Sequence, residues 1–140
     1  MLQKIKESGK KIKVYVIDIF EAECGHHNDL IREHGKGANL LEIFIKNMID
    51  LEFEPFTVRG RSNEVCYKFD DKKFQMIFID AAHDYESVKA DLNNFYPKLK
   101  PGGIFAGHDY GEKSCGVGKA VDEFVKENNL KLDVMTASWI

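Results

Sequence analysis

FQMIFIDAAHDYESVKADLNNFYPKLKPGGIFAGHDY, residues 74–110, decides the fold. Met76-Ile77-Phe78-Ile79 is a short continuous apolar run, the pattern of a parallel strand buried on both faces, and it stops at Asp80. Tyr85, Val88, Leu92 and Phe95 then recur at helical spacing on one face, while Glu86, Lys89, Asp91 and Asn93 take the other. Pro97 bends the chain, Pro101-Gly102-Gly103 reads as a tight turn, and Ile104-Phe105-Ala106 forms a second apolar run that ends at Gly107-His108-Asp109. Strand, crossover helix and strand in this order predict a parallel pair whose carboxyl ends carry acids one helix apart. Ligands of open α/β sheets bind in the crevice outside those ends, which makes Asp80, His83, His108 and Asp109 candidates to face one cavity.

The same alternation extends in both directions. Leu2 to Lys11 reads as a short basic helix or its tail, and Ile12 to Ile17 as a strand ending at a third acid, Asp18. Residues 20–37 are polar, a loop expected over the site, before Leu41, Phe44, Ile45 and Met48 open an amphipathic helix. Phe56 to Arg59 is a brief strand, Gly60-Arg61-Ser62 a turn, and Asn63 to Phe69 a short helix leading into Phe74. On the far side, Val117, Val121, Phe124 and Val125 predict a helix, and Leu132 to Met135 with Ser138 to Ile140 a terminal antiparallel hairpin.

Composition bounds what such a sheet can do. A chain of 140 residues, 44% hydrophobic and 31% charged, is ordinary globular usage and predicts one domain over residues 1–140. Its net charge of −3 comes from interspersed signs without a basic stripe, which argues against nucleic acid as a partner. No segment is long enough to cross a membrane. Cys24, Cys66 and Cys115 are odd in number and unrelated in spacing, and no apolar leader precedes them, so a reducing cytoplasm is the expected location.

Three residue combinations resemble known chemistry and fail on inspection. Cys24, His26 and His27 lack the paired spacing of a zinc site. Gly116-Val117-Gly118-Lys119 lacks both the upstream glycine and the Ser or Thr of a phosphate loop, since Lys113 and Ala120 stand there. Gly35-Lys36-Gly37 has Leu40 where a dinucleotide fingerprint needs its third glycine.

The segments FIDAAHDYE (78–86), KADLNNFYPKLKPGGIFAGHDY (89–110) and GVGKAVDEF (116–124) together resemble the class I S-adenosylmethionine-dependent methyltransferases, over roughly Ile12 to Ile140. The resemblance implies an α/β fold, a Rossmann-like and mostly parallel sheet closed by a C-terminal antiparallel hairpin. It implies methyl transfer from S-adenosylmethionine, with a hydroxyl of a small molecule as acceptor. It places Asp18 and Ile19 at the cofactor's ribose, Gly60, Arg61 and Ser62 near its adenine, and Asp80 as a further cofactor contact; Arg61 stands where the family usually has Asp. It makes His83 a general base and Asp80 its catalytic neighbour. By likeness to metal-dependent relatives, Asp80, His108 and Asp109 could hold Mg2+ or another divalent cation, although the same residues could serve as caps and turns. The family's first strand and glycine-rich loop have no counterpart in the eleven residues before Ile12, so the chain is expected to be N-terminally truncated, starting inside the next helix. A sheet lacking its central strand would leave backbone groups unpaired, from which a homo-oligomer is expected. A non-catalytic chain of the same fold, acting in binding or assembly only, is the alternative.

Overall fold

A computed structural model describes residues 2–21, 39–111 and 116–140, which fall into two compact units, residues 1–61 and 62–140. In the first unit, α1 (Leu2–Glu7) is followed by β1 (Tyr15–Asp18), α2 (Leu40–Asp50) and β2 (Phe56–Arg59). The strands pair in parallel from Tyr15↔Phe56 to Asp18↔Arg59, with the Tyr15 and Phe56 rings stacked at 4.9 Å. Asn39 caps α2 by accepting from the Glu42 backbone N–H, one of the orphan donors of the first turn, and its side-chain Nδ2 donates to the Glu42 carboxylate at 2.9 Å. Lys6 ties α1 to the end of α2 through the Leu51 carbonyl and Glu52. β1 starts three residues later than the apolar run from Ile12 suggests, because its register is set by β2.

The second unit contains α3 (Ser62–Val65), a 3-10 turn (Cys66–Lys68), β3 (Phe74–Ile79), α4 (Tyr85–Phe95), a 3-10 turn (Tyr96–Lys98), β4 (Leu99–Gly107), α5 (Val117–Glu127), β5 (Val134–Met135) and β6 (Ser138–Trp139). The sheet order is β3-β4-β6-β5, parallel between β3 and β4 and antiparallel thereafter, so the expected terminal hairpin is present. The apolar face of α4 packs on α5: Val88 and Leu92 meet Val117, Ala120, Val121 and Phe124, and Trp139 closes the cluster from β6. Ile79 and Phe105 press on it from the sheet.

Three sequence expectations change here. Pro101-Gly102-Gly103 does not break the chain into turn and strand; it is a bulge inside β4, where Phe74 pairs with Leu99 but Met76 already pairs with Ile104. Gly102 adopts φ +74° there, a left-handed conformation that glycine takes without steric cost. β3 is not buried on both faces: Ile77 and Ile79 point with Phe105 toward the helices, while Met76 and Phe78, with Ile104 opposite, are 47%, 43% and 47% exposed. Asp91, expected on the solvent face of α4, is buried, and the Ser62 hydroxyl donates to its carboxylate. Burial pushes that carboxyl's pKa up, against the lowering effect of the Ser62 hydrogen bond.

Candidate active site

The parallel β3–β4 ladder aligns Ile79 with Gly107, so Asp80 and His108 leave adjacent strands side by side. The His108 amide still donates to the Ile79 carbonyl at 3.1 Å, extending the ladder to the start of the site. Gly107 is required there. A Cβ on it would lie 2.5 Å from Trp139 Cζ2 and 2.6 Å from the Ile79 carbonyl oxygen. The next residue, Asp109, sits at φ +60°, a conformation aspartate tolerates better than most residues, and this turns its side chain back toward the end of β3. Such off-pattern backbone concentrates at functional sites.

The Asp109 carboxylate, largely buried, is held by two imidazoles. His83 Nε2 lies 2.9 Å from Oδ2 and His108 Nδ1 lies 3.1 Å from Oδ1. Asp80, His83 and Asp109 each offer a ligand atom, all within 4.8 Å of one another. Of the residues expected at the cation, Asp80 and Asp109 come together with His83, and His108 lies against the other oxygen of Asp109. Sequence spacing does not show the approach of Asp109 to His83, which accompanies the left-handed turn at Asp109.

The loops carrying His83 and Asp109 are each tied down. Asp84 caps α4 by accepting from the Ser87 amide at 3.0 Å, which holds its carboxyl below the ordinary aspartate value. Tyr110, beyond Asp109, donates its backbone N–H to the Ala137 carbonyl at 2.9 Å, and its hydroxyl donates to Asp122 at 2.7 Å, which raises the phenol's pKa. On the outer side, the Tyr85 hydroxyl donates to Glu123, and Lys89 donates to the same phenol oxygen at 2.9 Å, clamping α4 to α5. The hydrogen bond from Tyr85 is the main cause that keeps the half-buried Glu123 carboxyl below its usual range.

In the first unit, Asp18 ends β1 and accepts from the Phe20 amide at 2.5 Å through Oδ1, while its carbonyl accepts from the Gly60 amide at 3.0 Å. Arg59 donates to the Ile19 carbonyl and pairs with Glu21. Asp18, Ile19 and Gly60 are thus brought together at the carboxyl ends of a parallel pair, with Arg61 following in sequence. Ser62 belongs to the second unit, where its hydroxyl is committed to Asp91. Cys24, His26, His27, His34 and Cys115 lie outside the described residues.

The family described as "Methyltransferase domain" matches residues 1–110. No curated protein matches the chain. Among solved structures, the O-methyltransferase NovP superposes with a TM-score of 0.66 at 19% identity over 99% of this chain. The apo form of CalS11, a TDP-rhamnose 3'-O-methyltransferase of calicheamicin biosynthesis, superposes at 0.55 with 17% identity over 91% of the chain. A protein from Corynebacterium glutamicum superposes at 0.56 with 13% identity, also over 91%. The chain spans 63%, 56% and 58% of these three in turn.

Proposed function

Because the chain belongs to the methyltransferase-domain family, we propose that residues 1–140 act as one S-adenosylmethionine-dependent methyltransferase domain, moving a methyl group to a hydroxyl oxygen of a small molecule. The observation that carries this reading is the His83–Asp109 pair beside Asp80 at the carboxyl ends of two parallel strands. With Nε2–H donated to Asp109, the neutral imidazole carries its basic lone pair on Nδ1, and the carboxylate steadies the imidazolium formed when an acceptor hydroxyl gives up its proton. S-adenosylmethionine, when bound, supplies the electrophilic methyl sulfonium. For its ribose diol the acceptor would be Asp18, with Oδ2 facing the hydroxyls while Oδ1 keeps the Phe20 amide, and Ile19 alongside. Gly60, Arg61 and Ser62 would flank the adenine, with Asp80 a further cofactor contact.

The donor set Asp80, His83 and Asp109 also fits a divalent cation such as Mg2+ or Mn2+, since two carboxylates and an imidazole lie within 4.8 Å of one another. In that case His83 is a ligand, and a bound cation would supply the Lewis acidity that lowers the acceptor's pKa. Polar residues ahead of α2, among them His26, His27 and His34, favour a polyhydroxylated acceptor. Self-association is part of the same proposal, supported by β3 having one hydrogen-bonded neighbour among the described residues.

The test is methyl transfer to a panel of hydroxylated acceptors with and without Mg2+. Wild-type turnover that falls by about 10²–10⁴ in His83→Gln is expected. A folded protein that binds the cofactor yet methylates nothing would support the binding-only alternative instead.

A further inference from the structure

His83 is held through its main chain as well as through its ring. Its main-chain carbonyl accepts from the Gly116 amide at 2.7 Å, while its ring Nε2 reaches Asp109 at 2.9 Å. Gly116 sits immediately before α5, at φ −82° and ψ −2°, a conformation open to every residue type. Its torsions therefore do not require glycine. Space does: a Cβ there would overlap the Tyr85 amide nitrogen, lie 2.5 Å from the Tyr85 Cα and 2.7 Å from its Cβ. These atoms belong to or adjoin the backbone of the first turn of α4 and cannot rotate aside.

From this geometry we infer that Gly116 is a positioning residue for His83. The missing side chain lets the start of α5 close on the start of α4, and the amide that arrives there fixes the main chain from which the imidazole hangs. A side chain at 116 separates the two helix starts, lengthens the bond to the His83 carbonyl and carries the ring out of hydrogen-bond range of Asp109, since such bonds weaken steeply beyond about 3.2 Å. For Gly118, one residue into the same helix, a Cβ would meet among the described residues only the Gly111 amide, at an ordinary 3.7 Å. The inference gives a physical reason for the first glycine of GVGKAVDEF. Its catalytic importance rests on the role proposed for His83; its geometry does not.

The experiment is nuclear magnetic resonance on the 15N-labelled chain of 140 residues at a pH where histidine is neutral. In the wild type, the Gly116 amide should exchange at least roughly tenfold more slowly than an unstructured amide, and the His83 ring should show one tautomer, protonated at Nε2. Gly118→Ala should keep both signatures. Gly116→Ala should keep its helical circular dichroism while the His83 nitrogen shifts move to the average of two tautomers. Unprotected exchange at Gly116 in the wild type would overturn the inference even if the Gly116→Ala variant fails to fold. An unchanged His83 spectrum in a folded Gly116→Ala would overturn it as well. Loss of the tautomer signature in Gly116→Ala, together with full turnover in His83→Gln, would uphold the positioning while removing the base role.

Discussion

Phe78 and Leu92 are both apolar, both lie in the segment that decides the fold, and should respond very differently to truncation. Leu92 is 0% exposed between α4 and α5, with Val121 equally buried across the interface. Removing three carbons at about 0.8 kcal/mol each gives roughly 2.4 kcal/mol, and the cavity left behind raises Leu92→Ala to about 3–4 kcal/mol. Phe78 is 43% exposed on the sheet face away from those helices. Full burial of such a side chain is worth about 1.5–3 kcal/mol; a little over half of that, with no closed cavity formed, gives about 1–2 kcal/mol for Phe78→Ala. Trp139, the only tryptophan, is buried in the same core as Leu92, so its fluorescence in urea reports the unfolding of this unit. The expected result is a loss for Leu92→Ala larger than that for Phe78→Ala by about 1–3 kcal/mol, with unchanged slopes. Equal losses of about 3 kcal/mol or more would refute the reasoning, because Phe78 would then be as enclosed as the apolar run alone suggests.

Other expectations follow from single contacts. Gly107→Ala should cost about 1–3 kcal/mol by forcing β4 from the Trp139 ring and the Ile79 carbonyl, and a neutral thermal melt would contradict the close approach. Asp91 has a raised folded-state pKa, so below 3.8 both states hold its proton and no cost arises. As pH rises past that value the unfolded chain ionises first, and stability declines until the folded carboxyl has ionised too. Asp91→Asn lacks this step, so its stability relative to wild type should increase from about pH 3 to pH 7 in urea titrations; parallel profiles would exclude a burial-raised carboxyl. Asp109→Asn should keep the fold, since asparagine also accepts positive φ, yet reduce methyl transfer by about 10²–10⁴ through loss of the carboxylate that orients His83. Turnover close to wild type would remove Asp109 from the site.

The β3–α4–β4 unit was legible because Met76–Ile79 and Ile104–Ala106 are apolar runs that stop at polar residues, with helical periodicity between them. α5 was legible from Val117, Val121 and Phe124, and the hairpin from two short runs at the end. What escaped depends on three-dimensional register. An apolar strand reads the same whether one face or both are covered, so the exposure of Met76 and Phe78 left no mark. Asp91 looked like a surface acid because its partner, Ser62, lies far away in sequence. The meeting of His83 with Asp80 and Asp109 goes with a positive φ at Asp109, which an aspartate residue permits without announcing. In the sequence Gly116 stands only as part of a motif; its close approach to Tyr85 belongs to the packing of two helix starts.

Calorimetric titration of the chain with S-adenosylmethionine and with its demethylated product, in the presence and absence of Mg2+, tests the central claim most directly. The account predicts saturable binding at micromolar strength, about −8 kcal/mol, weakened by Asp18→Ala. A well-folded protein that takes up neither ligand at millimolar concentration would contradict it.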